Sequence, residues 1–251
     1  MFFQGVLMGR LIILTGPSCA GKSPLCRALA RLHPEMYRML GKVVLYNCRA
    51  PRIGEIDGKD YHFAAREQVE QYIKNDSFPG MDVRGDLQAL DIHSLARDLE
   101  KSDMLYEGNP YIAEKMISHS LLREFGTLGI FLSPLSCEEM RFIHAVDTIE
   151  PASYITEIMR KKLLRRMRKH KGELSLPDLQ EIERRAGTAY NELTMAHRFG
   201  HIIVNHDGED SENWNAFYYP LGDARLALTA FVKLLKAEPC ATEHWGDEPW
   251  T

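Results

Sequence analysis

The sequence has no long apolar run, no excess of basic residues and no paired cysteine motif. No stretch approaches the ~20 consecutive apolar residues of a transmembrane helix, so we expect no membrane association. The 31 Lys and Arg are outnumbered by 35 Asp and Glu, and the net charge of −4 argues against a general nucleic-acid binder. The first residues lack a basic segment followed by an apolar core, so a signal peptide is not expected.

Cysteine usage also excludes several classes of protein. The five cysteines are odd in number and scattered, and none forms C-x-x-C. This predicts no zinc site and suits a reducing cytoplasm. Internal repeats and low-complexity segments are lacking as well. With 45% hydrophobic and 26% charged residues, the chain has the composition expected of an ordinary soluble globular protein.

The first positive signal is a glycine-rich segment, Gly16 to Ser23, that fits G-x-x-x-x-G-K-[ST]. It follows the apolar run 11–14, which predicts a buried strand, and it precedes 24–32, where apolar residues recur at helical spacing. In this strand–loop–helix context the glycines let backbone N–H groups point at a phosphate. The helix N-terminus adds partial positive charge. The alternative is a chance match.

The motif assigns roles to single residues. Lys22 can reach the β- and γ-phosphates of a nucleotide, and the Ser23 hydroxyl can ligate Mg²⁺. Cys19 is either an oxidation-sensitive thiol or a small filler. The predicted nucleotide-binding residues of the loop are Gly16, Pro17, Ser18, Cys19, Ala20, Gly21, Lys22, Ser23 and Pro24.

Predicted strands alternate with predicted helices along the chain, which indicates an α/β fold with a parallel sheet. Ligands of such sheets bind at the carboxyl ends of the strands. Strands are predicted at 11–14, 42–46, 103–107, 128–132 and 201–205. Helices are predicted at 24–32, 66–74, 92–101, 111–125, from about 137, and at 155–171, 178–199 and 223–235. We predict irregular structure for 75–91 and disorder for the tail 237–251.

A turn-rich stretch after the second predicted strand carries Arg49, Arg52, Glu55 and Tyr61. Two arginines three residues apart can fork onto one phosphate, to which a tyrosine hydroxyl can add a hydrogen bond. A carboxylate at Glu55 could pair with an arginine and hold it in place. The alternative for these residues alone is an exposed, solvated loop.

This stretch resembles the monophosphate-binding segment of the guanylate kinase family. The family pattern Arg-x-Pro-Arg-x-Gly-Glu-x-x-Gly-x-Asp-Tyr-x-Phe runs unbroken from Arg49 to Phe63. A second stretch, Ile182 to Asp207, is similar to the end of the family's lid, the following helix and the last strand. The resemblance implies a three-layer P-loop NTPase fold in one domain, 1–236. Its parts would be a core (about 8–45, 95–160 and 200–236), a monophosphate-binding insert (about 46–94) and a helical lid (about 160–185).

The resemblance implies a Mg²⁺-dependent kinase, most simply ATP + GMP → ADP + GDP. A small-molecule nucleotide would be its partner, and the oligomeric state stays open. One alternative is a related kinase with a different phosphorylated acceptor. Another is a non-catalytic module of this fold that binds peptides.

Roles carry over residue by residue. The resemblance implies that Lys22 and Ser23 hold the ATP phosphates and Mg²⁺, that Asn205 lies near the adenine, and that Arg185 contacts the transferring phosphoryl group. For the acceptor's phosphate it implies Arg49, Arg52 and Tyr61, with Glu55 as support.

The basic helix 160–171, in the first part of the predicted lid, adds a further candidate group. In the family this zone leads to arginines that clamp the triphosphate, so the resemblance favours Arg165 and Arg168. The alternatives are a solvated face, a nucleic-acid patch, or neutralisation by the acidic residues that follow.

Three departures from the family pattern concern the acceptor and the metal. Leu45, Tyr46, Asn47 and Cys48 stand where the family has serine and threonine residues. The family's guanine-reading carboxylate and Tyr-x-Ser pair have no clear counterpart; Asp82 is our candidate carboxylate, with Asp86 and Asp91 left open. Glu107 replaces the family's Asp-x-Asp and is the candidate to order a Mg²⁺-bound water, the alternative being a surface glutamate. An insertion near 142–156 has no family counterpart.

Overall fold

The computed structural model describes residues 8–52 and 54–246. Its strands are β1 (Leu11–Thr15), β2 (Gly41–Lys42), β3 (Leu45–Asn47), β4 (Tyr61–Phe63), β5 (Gly80–Val83), β6 (Asp86–Ala89), β7 (Met104–Glu107), β8 (Thr127–Ser133) and β9 (His201–Val204). Its α-helices are α1 (Lys22–Leu32), α2 (Pro34–Arg38), α3 (Arg66–Ile73), α4 (Ile92–Leu99), α5 (Pro110–Ser118), α6 (Cys137–Ala145), α7 (Pro151–Lys171), α8 (Leu176–Gly187), α9 (Ala189–Thr194) and α10 (Gly222–Leu235). The beginning of the chain, to which the signal-peptide prediction refers, and residues 247–251 lie outside the described residues.

The described residues form two compact units. Unit 1 holds the residues up to Ile13 and Arg38–Leu128, and unit 2 holds Leu14–Tyr37 and the residues from Gly129 onward. A five-stranded sheet has the order β2-β7-β1-β8-β9, in which β2 runs parallel to β7 and β8 runs parallel to β9. The residues of β1 are all buried, as the apolar run 11–14 predicted.

Unit 1 also contains a four-stranded sheet, in the order β4-β3-β6-β5. The predicted strand 42–46 is wrong in this respect: it is two short strands, β2 and β3, that belong to different sheets. The segment predicted as irregular, 75–91, contains the β5–β6 hairpin. Arg84 and Gly85 have φ of 61° and 92° at its two-residue turn, which fits the right-handed twist of paired strands.

Unit 2 carries the helices that follow β8. Helices α7 and α8 pack on each other, and α1 packs on α10. The helix predicted at 178–199 is wrong in its extent, because α8 ends at Gly187 and α9 begins at Ala189. The Thr188 hydroxyl lies 3.2 Å from Arg185 O and 3.0 Å from Glu192 Oε1. Between the two helices, a side-chain hydroxyl thus forms a hydrogen bond with a backbone carbonyl of α8.

The disorder predicted for the tail is contradicted as far as residue 246. Glu243 and Ile202 exchange backbone hydrogen bonds of 2.9 Å, which attach the tail to β9. The Glu243 carboxylate accepts from Cys137 N at 2.9 Å and from Trp245 Nε1 at 2.6 Å. Trp245 is buried. Burial of the indole and pairing with a distant strand are long-range contacts that the aperiodic tail sequence does not reveal.

No α-helix in the part of the chain that the structure describes is both long and apolar enough to cross a membrane.

Candidate functional site

The glycine-rich segment forms a tight loop between β1 and α1 in unit 2. Gly16 and Gly21 adopt φ of 135° and 106°, and Cys19, at 68°, shares the left-handed region. A Cβ at Gly16 would lie 2.2 Å from Leu132 O, and a Cβ at Gly21 would lie 2.6 Å from Asn205 Nδ2. Both positions therefore require glycine, for conformation and for space.

Helix α1 begins inside the motif, at Lys22. The Lys22 ammonium donates to Gly16 O at 2.7 Å and to Pro17 O at 2.8 Å, and the side chain is largely buried. Pro24 lies in the first turn, where its missing N–H costs no helical bond. Ser23 is half-buried beside Lys22. The predicted strand, loop and helix are thus confirmed.

Asn205, at the end of β9, supports this loop. Its Nδ2 donates to Ala20 O and to Asp207 O, both at 2.7 Å, and the residue is fully buried. Its contact with adenine stays a prediction.

Cys19 is fully buried in the loop. Burial first, then the negative charges of Glu209 and Asp210, raise the pKa of its thiol to about 12, against the opposing effect of nearby basic residues. The thiol is therefore protonated at neutral pH, which favours the filler interpretation over an oxidation-sensitive thiol.

The basic residues of α7 are paired with an acidic segment that follows β9. Arg165 Nε donates to Asp210 Oδ2 at 2.8 Å, and Arg166 donates to Glu209 Oε2 at 2.7 Å. Glu209 N in turn donates to Cys19 O at 3.1 Å, so the acidic segment joins α7 to the phosphate loop. The basic helix is thus neutralised within the protein, but in these two pairs the partners are Glu209 and Asp210 rather than the acidic residues that directly follow the helix.

Two further ion pairs join α7 to the region of α8. Arg160 Nε donates to Glu183 Oε1 at 2.6 Å, and the Lys171 ammonium donates to Asp178 Oδ1 at 2.5 Å. These acids are among those expected to neutralise the basic helix. Arg168 is exposed on the last turns of α7.

Arg185 lies on α8 with its guanidinium directed at Glu181. Arg185 Nε and Glu181 Oε1 are 2.7 Å apart, and 14% of the Arg185 side chain is exposed. Its neighbour Arg184 contacts the same carboxylate, yet half of its side chain is exposed. The two arginines thus share one partner but differ in burial.

The predicted monophosphate segment lies in unit 1, with Ile53 outside the described residues. Arg49 donates to both oxygens of Glu55, at 2.7 and 2.6 Å. Its guanidinium also lies over the rings of Tyr61 and Phe63, 5.1 and 5.5 Å from their centroids. Arg52 N donates to Glu55 Oε2 at 2.7 Å, while the Arg52 side chain is exposed. Glu55 therefore organises this segment as predicted.

The Arg49–Glu55 pair shifts both pKa values. Burial tends to lower the pKa of Arg49, but the hydrogen bond and charge of Glu55 outweigh it and raise that pKa. Burial tends to raise the pKa of Glu55, but hydrogen bonds from Arg49 and from the Arg52 backbone outweigh it and lower that pKa. Both groups are therefore charged at neutral pH.

The structure places Asp82 away from Arg49. Asp82 pairs with Leu87, which belongs to the core cluster under α3, and its carboxylate accepts from Arg66 at 3.0 Å. Of the three candidate carboxylates, Asp86 is the one near Arg49, with 3.8 Å between Oδ2 and Nε. Asp91 caps α4 by accepting from Ser94 N at 2.9 Å. Acceptor binding by Asp82 stays a prediction, and Asp86 is the candidate carboxylate that lies next to Arg49.

Glu107 is the last residue of β7, in unit 1, and is exposed. No group of three or more His, Cys, Asp or Glu within residues 8–52 and 54–246 forms a ready-made metal site. Mg²⁺ commonly binds through one protein oxygen together with substrate phosphates, so the loop with its Ser23 hydroxyl fits this ion without such a cluster.

These features define an α/β protein of the P-loop type with a nucleotide-phosphate loop. A sequence profile of guanylate kinases matches residues 8–81. Guanylate kinases from Clostridium perfringens (strain 13 / Type A) and Corynebacterium jeikeium (strain K411) are 28% and 29% identical to this chain. Each match covers 81% of this chain, and 79% and 92% of the respective relatives.

A solved structure supports the fold. The crystal structure of guanylate kinase from Anaplasma phagocytophilum matches with a TM-score of 0.54 and 19% identity, over 92% of this chain and 86% of that one. The predicted α/β P-loop fold is confirmed. This chain is similar to guanylate kinases in sequence over most of its length and in fold, as its motifs predicted.

Proposed function

We propose that this chain transfers a phosphoryl group from ATP to a nucleoside monophosphate, with GMP as the acceptor and Mg²⁺ as the cofactor, in the cytoplasm. The observation that carries the proposal is the presence of two anion-binding arrangements in one chain. One is the glycine loop with Lys22. The other is the Arg49 guanidinium, which Glu55 holds in place beside Tyr61. A kinase needs a site for the donor phosphates and a second site for the acceptor's phosphate.

The residues of unit 2 would act on the donor. The loop amides and the Lys22 ammonium bind the β- and γ-phosphates, and the Ser23 hydroxyl holds the ion. Mg²⁺, when bound, neutralises charge on the phosphate oxygens. Lys22 now donates to loop carbonyls at 2.7 and 2.8 Å, so it exchanges these bonds for phosphate contacts. Arg185 stabilises the charge of the transferring phosphoryl group.

The residues of unit 1 would act on the acceptor. The Arg49 guanidinium is already held in one orientation by Glu55 and by the rings of Tyr61 and Phe63. Little side-chain conformational entropy is therefore lost when it binds a phosphate. Arg52 and the Tyr61 hydroxyl complete the grip. Because the reaction itself needs only charge stabilisation and in-line placement, these positioning groups account for most of the catalysis expected.

Release of ADP measured with a panel of monophosphates tests the proposal. We expect turnover with GMP that requires Mg²⁺ and falls about 10²-fold or more in Lys22→Ala, because a charged donor to the phosphates is lost. Lys236→Ala, at the exposed C-terminus of α10, is the matched control and should keep wild-type activity. Absence of ADP release with every acceptor, at millimolar ATP, would overturn the proposal. Turnover with another monophosphate alone would correct the acceptor.

A further inference from the structure

The two faces of the β4-β3-β6-β5 sheet differ in chemistry. One face packs on α3 through Val69, Leu87 and Ala89. Gln88 lies between Leu87 and Ala89, and Asn47 lies between Tyr46 and Cys48, which also pack on this cluster. Strand alternation therefore places Asn47 and Gln88 on the opposite face. Both are almost completely buried, with exposed fractions of 0% and 7%. Two buried carboxamides on the face that does not pack on α3 require an explanation, because buried polar groups are normally hydrogen-bonded.

Asn47 and Gln88 are direct cross-strand partners. The adjacent pair is hydrogen-bonded, since Cys48 N donates to Leu87 O at 3.0 Å. In an antiparallel ladder the next pair is then of the non-hydrogen-bonded type, with Cα atoms ~4.5 Å apart and side chains close together. The two carboxamides are therefore neighbours.

The orientation of the Gln88 amide is fixed by Asn109. Asn109 Oδ1 caps α5 by accepting from Ile112 N at 3.0 Å, so its Nδ2 is necessarily the donor. Asn109 Nδ2 donates to Gln88 Oε1 at 3.0 Å. Gln88 Nε2 consequently points elsewhere, and within the described residues it has no hydrogen-bond acceptor.

The orientation of the Asn47 amide is fixed in the same way. Its Oδ1 accepts from Arg49 N at 3.1 Å, and its buried Nδ2 has no partner among residues 8–52 and 54–246. A buried donor without an acceptor is unfavourable, because it has lost its hydrogen bond to water. Two adjacent N–H₂ groups thus lack acceptors on one face of the sheet.

The amide donors of Asn47 and Gln88 lie in the same part of unit 1 as Arg49. Asn47 bonds directly to the Arg49 backbone, and Asp86, two residues before Gln88 on the same face of β6, lies 3.8 Å from Arg49 Nε. A monophosphate held by Arg49 would therefore bring its base to the part of the chain where Asn47 and Gln88 lack acceptors.

We propose that Gln88, with Asn47 as a second donor, reads the base of the acceptor by donating to a pair of adjacent acceptor atoms, and that Asn109 is the residue that positions the Gln88 amide. This inference rests on the proposed kinase function. A 6-oxopurine presents O6 and N7 as two acceptors, whereas adenine presents N7 and a 6-amino donor. A site with two fixed donors can bind both O6 and N7 of a 6-oxopurine. With adenine, one of these donors would face the 6-amino group, which is itself a donor. The site therefore selects 6-oxopurine monophosphates over AMP.

The test compares kcat/KM for GMP and for AMP in the wild type and in two variants. The wild type should prefer GMP by about 10²-fold or more, because a hydrogen-bonding site discriminates strongly against a mismatched group. Gln88→Glu replaces the donor by an acceptor and should reduce the GMP/AMP ratio at least tenfold. Asn109→Asp keeps the α5 cap but accepts from Gln88 Nε2, which turns Gln88 Oε1 toward the base. It should reduce the ratio in the same direction and leave kcat for GMP within about threefold.

A merely structural role would lower kcat/KM equally for both acceptors and leave the ratio unchanged, which would overturn the inference. Gln68→Glu, on the exposed surface of α3, is the matched control and should keep the wild-type ratio. Wild-type turnover of AMP equal to that of GMP would overturn the inference while the kinase function stands. Calorimetric binding of GMP and AMP without ATP separates the remaining case. Selective GMP binding that is lost in Gln88→Glu, with no turnover, would overturn the kinase function alone.

Discussion

The Arg49 guanidinium donates to both carboxylate oxygens of Glu55, at 2.7 and 2.6 Å. The same carboxylate accepts from Arg52 N, so one acidic side chain fixes a guanidinium and the turn that carries the second arginine. With side chains that are 13% and 20% exposed, this is a partly buried ion pair rather than a surface contact. The pair therefore orders the fork before any phosphate arrives.

We expect Glu55→Gln to weaken acceptor binding more than catalysis. An amide offers one uncharged acceptor oxygen in place of two charged ones, so the bidentate contact is lost and Arg49 is held less firmly. KM for GMP should therefore rise about tenfold while kcat changes less. Loss of a charge-assisted bond should also reduce the free energy of unfolding by about 1–3 kcal/mol. Steady-state kinetics at saturating ATP and urea denaturation measure both effects. Glu67→Gln, exposed on α3, should change neither; an unaltered KM in Glu55→Gln would contradict this prediction.

Arg184 and Arg185 provide a matched pair on α8. Both contact Glu181, but Arg185 is much the more buried, and the family resemblance gives Arg185 the transition-state role. We expect Arg185→Ala to lower kcat about 10³-fold, equivalent to about 4 kcal/mol, and Arg184→Ala to lower it less than threefold. Single-turnover kinetics would distinguish them. Equal losses in the two variants would show that Glu181 pairing, and not a phosphate contact, is what matters.

Cys19 should resist thiol reagents. With a pKa of about 12, only about 10⁻⁴ of the thiol is ionised at pH 8, and the side chain is buried. We expect iodoacetamide to alkylate the half-buried Cys240 well before Cys19 in the native protein, and both at similar rates in 8 M urea. Peptide mass spectrometry gives the order. Early modification of Cys19 in the native protein would contradict the assigned burial.

His206 should make part of the stability depend on pH. Burial tends to lower its pKa, but hydrogen bonds with Glu139 and Asp223 outweigh burial and raise it above 6.5. The stabilisation is therefore complete below the ordinary histidine pKa and is lost as the pH rises through the raised value. His206→Gln should cost under about 1 kcal/mol at pH 6, since the side chain is about half exposed, and less at pH 9. Urea denaturation at both pH values measures this, with exposed His93→Gln as the control.

The sequence could predict those parts of the fold and site that depend on local pattern. The strand–loop–helix around Lys22 and the Arg49–Glu55 pair each involve residues close in the chain, whose geometry follows from spacing. It did not predict the pairing of Arg166 with Glu209, 43 residues away, because such a contact depends on how α7 packs. The sequence does show acidic residues after the strand 201–205, but no known spacing pattern pairs such residues with a distant basic helix. The sequence could not choose among Asp82, Asp86 and Asp91 for a related reason: only the register of β5 with β6 decides which face of the sheet Asp82 occupies.

Residues 240–246 have a consequence for handling the protein. β9 is the outermost strand of its sheet, and the exchange between Glu243 and Ile202 occupies hydrogen-bonding groups that would otherwise be offered to a neighbouring molecule. A shortened chain that ends at Lys236 would lose both the backbone pairing of Glu243 with β9 and the buried Trp245 side chain. It should then associate through its bare strand and scatter light on warming, whereas the longer chain stays dispersed.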